Sequence, residues 1–246
     1  MHKNLIGLWA SFDLKQLFEK DLYSRLRNFV LGIKVEPREV AEIVIDRVVD
    51  YCRNNRGDTL ECLADHSPDQ LDVFIDAYLN GKEAEDLDKA IENSDMFWDE
   101  VKKEYEKLWK DWWSEELAYD FGHLVIEDQA KNIMNNYELD NATKVRRLKA
   151  YAEVLHELAD TIKQALQNQE PLSSADLYKW FKKLAEVTSS FDSDYRKEVQ
   201  YYLDFYDIWD VDQLQTLSLL LEYINRTLRS IENTYLPELE ALTNES

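Results

Sequence analysis

The sequence has few of the residues that separate short secondary-structure elements. Five Gly and four Pro among 246 residues are too few for the many tight turns of an all-β fold. A hydrophobic content of 45%, with nine Phe, fourteen Tyr and seven Trp, supplies material for a large core and argues against intrinsic disorder. We therefore predict an all-α fold, an aromatic-rich multi-helix bundle of about eight to ten helices.

Cysteine is scarce, and long apolar runs are missing. The two cysteines, Cys52 and Cys62, cannot form a multi-disulfide framework, so we favour buried free thiols in a reducing cytosol, with a bridge between them as the alternative. The apolar segment from Leu5 to Ala10 is shorter than a signal-peptide core, and no other run is long enough to span a membrane. These features predict a cytoplasmic protein that does not associate with membranes.

Basic residues are also few. The chain has 29 Lys and Arg against 50 Asp and Glu, which gives a net charge of −21. Contacts to phosphate groups need clusters of Lys and Arg, so this balance argues against direct binding to nucleic acid or to anionic membranes. A strongly negative surface instead favours fast encounter with basic protein partners.

Two apolar stripes organise the second half of the sequence. Apolar residues recur at alternating spacings of three and four from Val145 to Leu166 and again from Leu214 to Tyr235. This spacing predicts two long helices that pack antiparallel in a bundle. The polar stretch 135–141 is the best candidate for a boundary. We predict a single domain over 1–246, with two packed helical halves, 1–135 and 141–246, as the alternative.

A tryptophan-rich segment predicts a further long helix. Its apolar arc includes Trp98, Trp109 and Trp112, which we assign to the core, and Tyr119 near its end. Trp113 falls at the edge of this arc. We therefore predict that Trp113 is exposed and is the best aromatic anchor for a partner protein.

The stretch 201–212 mixes five aromatic side chains with four carboxylates. On a helical wheel Asp204, Asp207 and Asp210 lie opposite most of the aromatic side chains, with Leu203 as an exception on the acidic side. A metal or diphosphate site would need these carboxylates inside a water-poor cavity. We predict instead that they face solvent.

The negative charge is concentrated between the second helix and the tryptophan-rich helix. Residues 58–120 contain twenty Asp and Glu against six Lys, a net charge of −14. The helix predicted at 68–80 has no Lys or Arg, and repulsion between Asp72 and Asp76 costs about 0.2–0.5 kcal/mol. General acidity for solubility is one explanation, and a surface for a basic partner is the other. The predicted partner-binding residues are Asp69, Asp72, Asp76, Glu83, Glu85, Asp86, Asp88 and Trp113.

Two weaker motifs could carry chemistry. Glu153-x-x-His156 resembles the half-motif of di-iron helical bundles, and Asp120-x-x-His123 would be its imperfect partner. Glu153 lies away from the apolar stripe and is expected to point outward, which argues against a metal site. Either cysteine with His66 could form a nucleophile pair, but no third member is specified, so packing is favoured.

The sequence favours a non-enzymatic acidic protein-interaction module that binds a basic surface of a partner protein. An inhibitor, an immunity-type protein, a nucleic-acid mimic or a subunit of a complex would each fit this description. We assign no catalytic residue, no metal and no cofactor. The alternatives are a helical-bundle metalloenzyme with a metal bound by carboxylates and His, and a homodimeric structural or scaffold protein; the oligomeric state is left open.

Overall fold

The computed structural model describes residues 36–55, 59–70, 95–190, 192–208 and 212–244. Every regular element within these ranges is helical, which confirms the predicted all-α multi-helix bundle. No helix in these ranges is long and apolar enough to cross a bilayer. The chain divides into two compact units, Met1–Trp113 and Ser114–Ser246.

The first unit is built from a helical pair and the start of a long helix. Helix α1 is Pro37–Asn55, α2 is Thr59–Asp65, and α3 is Asp95–Asp120, of which the part up to Trp113 belongs to this unit. Pro37 suits the first position of α1, where a backbone N–H has no helical partner. Helix α1 packs against α2. Its broad apolar face is buried at Val40, Ala41, Val44, Ile45, Val48, Val49 and Cys52.

The inward stripe of α3 differs from the prediction. Val101, Tyr105, Trp109 and Trp113 are all buried, at a regular spacing of four residues. Trp113 is 0% exposed and stacks on Trp109 with ring centroids 4.9 Å apart, so the prediction that Trp113 is exposed was wrong. Tyr119, predicted to face inward, is 46% exposed. The predicted apolar arc included Trp112, which is only half-buried, and had Trp113 at its edge, although Trp113 is fully buried. The buried face of α3 is therefore rotated from Trp112 toward Trp113.

The second unit contains the remaining helices. After α3 the elements are the π-helix Phe121–Glu127 (π1), α4 (Asp128–Asn135), α5 (Asn141–Asn168), α6 (Ser174–Thr188), α7 (Ser193–Ile208), α8 (Gln213–Ser230), the π-helix Ile231–Tyr235 (π2) and α9 (Leu236–Asn244). Helix α5 packs against α4, α6, α8 and α9, and so lies at the centre of this unit. The stretch 135–141, suggested by the sequence as a boundary, covers the connection between α4 and α5.

The helix ends in this unit follow local chemistry. Asp140 caps α5 by accepting a hydrogen bond from the Thr143 N–H at 2.6 Å, which lowers the pKa of the Asp140 carboxyl. Gln169 and Ser189 follow α5 and α6 in the left-handed conformation, with φ of 57° and 63°. At each of these ends, hydrogen bonds from the next backbone N–H groups satisfy the last carbonyls, as in a Schellman motif.

The two predicted apolar stripes form the contact between α5 and α8. Their alternating spacing of three and four keeps one face of each helix against the other. The central members of both stripes are buried, whereas Val145, Leu166, Leu214 and Leu221 are half-exposed. The buried members are Leu148, Ala152, Leu155, Ala159 and Ile162 in the first stripe, and Leu217, Ile224, Leu228 and Ile231 in the second.

Helix α7 contains most of the aromatic and acidic stretch 201–212. Asp204 and Asp207 are exposed, as predicted, and Asp210 lies outside the described residues. Leu203 is buried, whereas Tyr201 is 37% exposed. The buried face continues from Tyr195 through Val199 and Leu203, so it is rotated toward the acidic side of the helix. The position of Leu203 therefore indicated the core-facing side of α7 more accurately than the position of Tyr201 did.

The helix predicted from the apolar stripe Leu214 to Tyr235 widens before Pro237. Across π2 the Leu236 N–H donates to the carbonyl of Ile231, five residues earlier instead of four. Proline has no N–H to continue an α-helical ladder, and its ring clashes with the carbonyl four residues before it. A widened turn accommodates the proline without ending the helix.

Candidate functional site

Only two of the eight predicted partner-binding residues, Asp69 and Trp113, lie within the described residues. Asp69 is exposed just after α2, and Trp113 is buried and therefore unavailable as a surface anchor. Asp72, Asp76, Glu83, Glu85, Asp86 and Asp88 lie outside the described residues.

Helix α1 contributes a second line of carboxylates to the first unit. Glu42, Asp46 and Asp50 follow one another at intervals of four residues and share one side of the helix. Glu42 accepts a hydrogen bond from the Arg38 guanidinium at 2.8 Å. Asp46 and Asp50 are exposed and form no ion pair with any described residue. Because Asp46 and Asp50 are four residues apart on a helix, their carboxylates repel each other by about 0.2–0.5 kcal/mol.

Helix α3 carries a mixture of charges. The Lys107 ammonium lies 2.7 Å from a carboxylate oxygen of Glu104, and this hydrogen bond lowers the pKa of the Glu104 carboxyl. Lys110 and Glu106 are 2.9 Å apart. These groups line an open groove of about 570 Å³ between the start of α1 and α3. Acidic and basic side chains alternate along it, which is typical of a solvated helix face.

The end of α1 and the start of α2 are joined by a disulfide between Cys52 and Cys62. Their Cα atoms are 5.5 Å apart, and no described cysteine is free. The favoured prediction of free thiols was therefore wrong, because spacing alone does not show that α1 and α2 meet at these positions. Closing a loop of this length, with a sequence separation of 10, removes entropy from the unfolded chain worth about 2.7 kcal/mol.

His66 lies against the disulfide. It is 1% exposed, and its Nδ1 is 3.9 Å from Cys62 Sγ. Nδ1 is also 2.7 Å from the Cys62 carbonyl oxygen, and a carbonyl cannot donate, so the proton is on Nδ1. The Tyr105 hydroxyl donates to the His66 carbonyl at 2.7 Å, and the Trp109 indole N–H donates to the Leu63 carbonyl at 3.0 Å.

His66 therefore lies close to Cys62, as the sequence suggested, but both cysteine sulfurs form the disulfide bond. A disulfide sulfur is not a nucleophile, since nucleophilic attack needs a thiolate. Among the described His, Cys, Asp and Glu residues, Cys52, Cys62 and His66 form the one group of three whose ligand atoms lie within 4.8 Å of one another.

The two halves of the di-iron-like motif have separate partners. His123 lies 3.2 Å from a carboxylate oxygen of Glu127, and His156 lies 2.8 Å from one of Glu232. Glu153 is exposed, as predicted. The described residues therefore do not assemble these motifs into a shared ligand set.

A second cluster, which the sequence did not reveal, surrounds Glu127 at the end of π1. The Glu127 side chain is 14% exposed and pairs with the Arg226 guanidinium at 2.5 Å, in addition to its contact with His123. The Arg226 guanidinium lies over the Tyr223 ring, 4.4 Å from its centroid. Tyr223 in turn covers Gly122 in π1. A lone glycine within a helical pattern was the available sequence signal for this close approach.

Comparisons of the chain with family models, curated proteins and solved structures found no match. The chain's own geometry and charge therefore carry the functional argument.

Proposed function

We propose that this is a non-enzymatic interaction protein whose first unit binds a basic surface of a partner protein. The described residues of this unit include fourteen Asp and Glu against seven Lys and Arg, a net charge of −7. The wider segment 58–120, which extends into the start of the second unit, has a net charge of −14. The densest negative charge along the chain therefore falls in the segment 58–120, where it would attract basic proteins at long range.

The observation that carries this proposal is a set of exposed carboxylates without compensating cations. Each is exposed and forms no ion pair with any described residue. Uncompensated like charges weaken the folded state slightly, so their presence beside the strongly negative segment 58–120 fits a role outside stability. The set comprises Asp46, Asp50, Asp69, Asp99 and Glu100.

The second unit also mixes paired and unpaired acidic side chains. Several have a lysine three residues later, as in Asp128–Lys131 at 3.2 Å and Asp160–Lys163 at 2.9 Å, and such exposed pairs cancel local charge. Others, such as Glu198, Asp207 and Glu222, are exposed without an ion pair to any described residue. The proposal therefore assigns the partner surface to the first unit because the segment 58–120 has the greatest local concentration of negative charge.

Binding would begin with electrostatic steering and end with the docking of matched surfaces. Charges on the edge of an interface mainly change the association rate, and salt screens them over a Debye length of about 8–10 Å. Association should therefore slow steeply as ionic strength rises, while dissociation changes less.

A pair of charge-matched variants tests the proposal. The first, Asp46→Asn/Asp50→Asn/Asp69→Asn, removes three exposed carboxylates from the first unit. The control, Glu198→Gln/Asp207→Asn/Glu222→Gln, removes three from the second. A basic protein captured from the source cell at low salt is purified, and its association rate with each variant is measured by surface plasmon resonance.

We expect the first variant to bind at least about 5-fold more slowly and the control less than about 2-fold more slowly. Equal slowing by both variants would show that overall acidity, rather than the first unit, attracts the partner. Stoichiometric iron or manganese in the purified protein would favour the metalloenzyme. A dimer that persists equally at low and high salt, measured by light scattering, would favour the structural homodimer.

A further inference from the structure

The buried cluster of Cys52, Cys62 and His66 contains three side chains that can ligate a soft metal ion. Their exposures are 0%, 2% and 1%, and their ligand atoms lie within 4.8 Å of one another. We propose that, when the disulfide is reduced, these residues form a Cys₂His site for Zn²⁺.

The distances are close to those that zinc requires. Bonds of about 2.3 Å to sulfur and 2.0 Å to nitrogen place the ligand atoms of a tetrahedral site about 3.5–3.8 Å apart. In the disulfide form Cys62 Sγ and His66 Nδ1 are already 3.9 Å apart. Reduction releases the two sulfurs from their covalent contact, and their backbones need only small adjustments to face a common ion.

Charge favours Zn²⁺ over Cu⁺ in this position. Two thiolates and a neutral imidazole cancel the charge of Zn²⁺, whereas the same ligands around Cu⁺ would leave one negative charge buried. An uncompensated buried charge is strongly unfavourable. Three protein ligands leave one coordination position open, as in zinc sites that bind a water molecule or a substrate.

The surroundings hold the cluster in place. The hydrogen bond from Tyr105 to the His66 carbonyl and the one from Trp109 to the Leu63 carbonyl fix the end of α2 against α3. The ring of Tyr51 meets the His66 ring edge-on at 6.0 Å. Outer contacts of this kind orient metal ligands and maintain their spacing.

The metal and the disulfide exclude each other. A dithiol reductant supplies two electrons and two protons to the Cys52–Cys62 bond, becomes a disulfide itself, and leaves two thiols. Zn²⁺ then binds as both thiols lose their protons to solvent and the His66 proton moves from Nδ1 to Nε2, which releases Nδ1 from the Cys62 carbonyl to ligate the ion. Zinc uptake is therefore coupled to reduction and releases two protons per ion.

The test uses the full chain in its oxidised and its phosphine-reduced forms, after removal of the reductant under anaerobic conditions. Zn²⁺ is titrated against a chromophoric chelator, and circular dichroism monitors the fold. We expect about one Zn²⁺ per chain in the reduced protein and none in the oxidised protein. Bound zinc should also slow alkylation of both thiols by N-ethylmaleimide.

Two variants assign the ligands. Reduced His66→Asn should lose at least about 10-fold in zinc affinity, whereas His156→Asn, which alters an exposed histidine, should bind as the wild type does. The proposal is overturned if the reduced protein binds no zinc, if it unfolds and zinc does not restore the fold, or if Cys52→Ser/Cys62→Ser binds zinc equally well.

Discussion

Gly122 gives the sharpest test of the packing in the second unit. A Cβ atom added at this position would lie 2.2 Å from Cγ, 2.6 Å from Cδ1 and 2.7 Å from Cβ of Tyr223. These atoms form the root of the tyrosine side chain, so rotation of the ring cannot remove the overlap. Either α8 or π1 must shift its backbone to admit a methyl group.

Two opposing effects set the magnitude for Gly122→Ala. Alanine is a better helix former than glycine by about 1 kcal/mol, which would stabilise the variant. Overpacking of a tight contact typically costs about 1–3 kcal/mol, and here the overlap involves atoms that cannot swing away. We expect the overlap to dominate, with the free energy of unfolding lowered by about 2 kcal/mol.

Urea denaturation of a double-mutant cycle measures this contact. In a Tyr223→Gly background the whole obstructing side chain, including its Cβ, is absent, so Gly122→Ala should be neutral or stabilising by up to about 1 kcal/mol. A stabilising Gly122→Ala in the wild-type chain would refute the packing described here. The same destabilisation in both backgrounds would show that the effect comes from the π-helix itself and not from Tyr223.

Two further predictions concern the helix end at Gln169 and the buried tyrosines. Gln169→Gly should raise the free energy of unfolding by about 0.5–1 kcal/mol in urea, because glycine adopts the left-handed conformation without strain; Gln167→Gly, inside α5, should lower it. Burial raises the pKa of Tyr105 and Tyr151 above the ordinary value near 10, so both phenols stay protonated in the folded state while they ionise in the unfolded chain. Stability should therefore be independent of these groups below about pH 10 and fall above it, by up to about 1.4 kcal/mol per pH unit for each tyrosine. Urea titrations at increasing pH test this fall, and Tyr105→Phe should make it shallower; phenolate absorbance that develops fully near pH 10 in a folded chain would contradict it.

Helix type and inward stripes followed from residue spacing wherever a stripe was regular. The alternating spacing of Leu148 and Leu155 in α5, and of Leu217 and Ile224 in α8, predicted their burial correctly. The aromatic arc of α3 misled because large rings covered most of the helix circumference. Apolarity alone then could not indicate which part of that circumference was buried.

The candidate sites were less accessible to sequence reasoning. No local pattern connects Glu127 with Arg226, 99 positions later, and spacing could not show that Cys52 meets Cys62. Asp69 was correctly expected to be exposed. The function assigned to the acidic surface stays a prediction, because exposure and charge do not identify a partner.

From the sequence followed the all-α class, the negative charge and the inward stripes of α5 and α8, because composition and periodicity depend on the residue types and their spacing alone. The tertiary structure decided the burial of Trp113, the pairing of Cys52 with Cys62 and the close approach of Tyr223 to Gly122. Each of these depends on which helix faces meet and at what register, and that choice is made by contacts between residues that local patterns do not link.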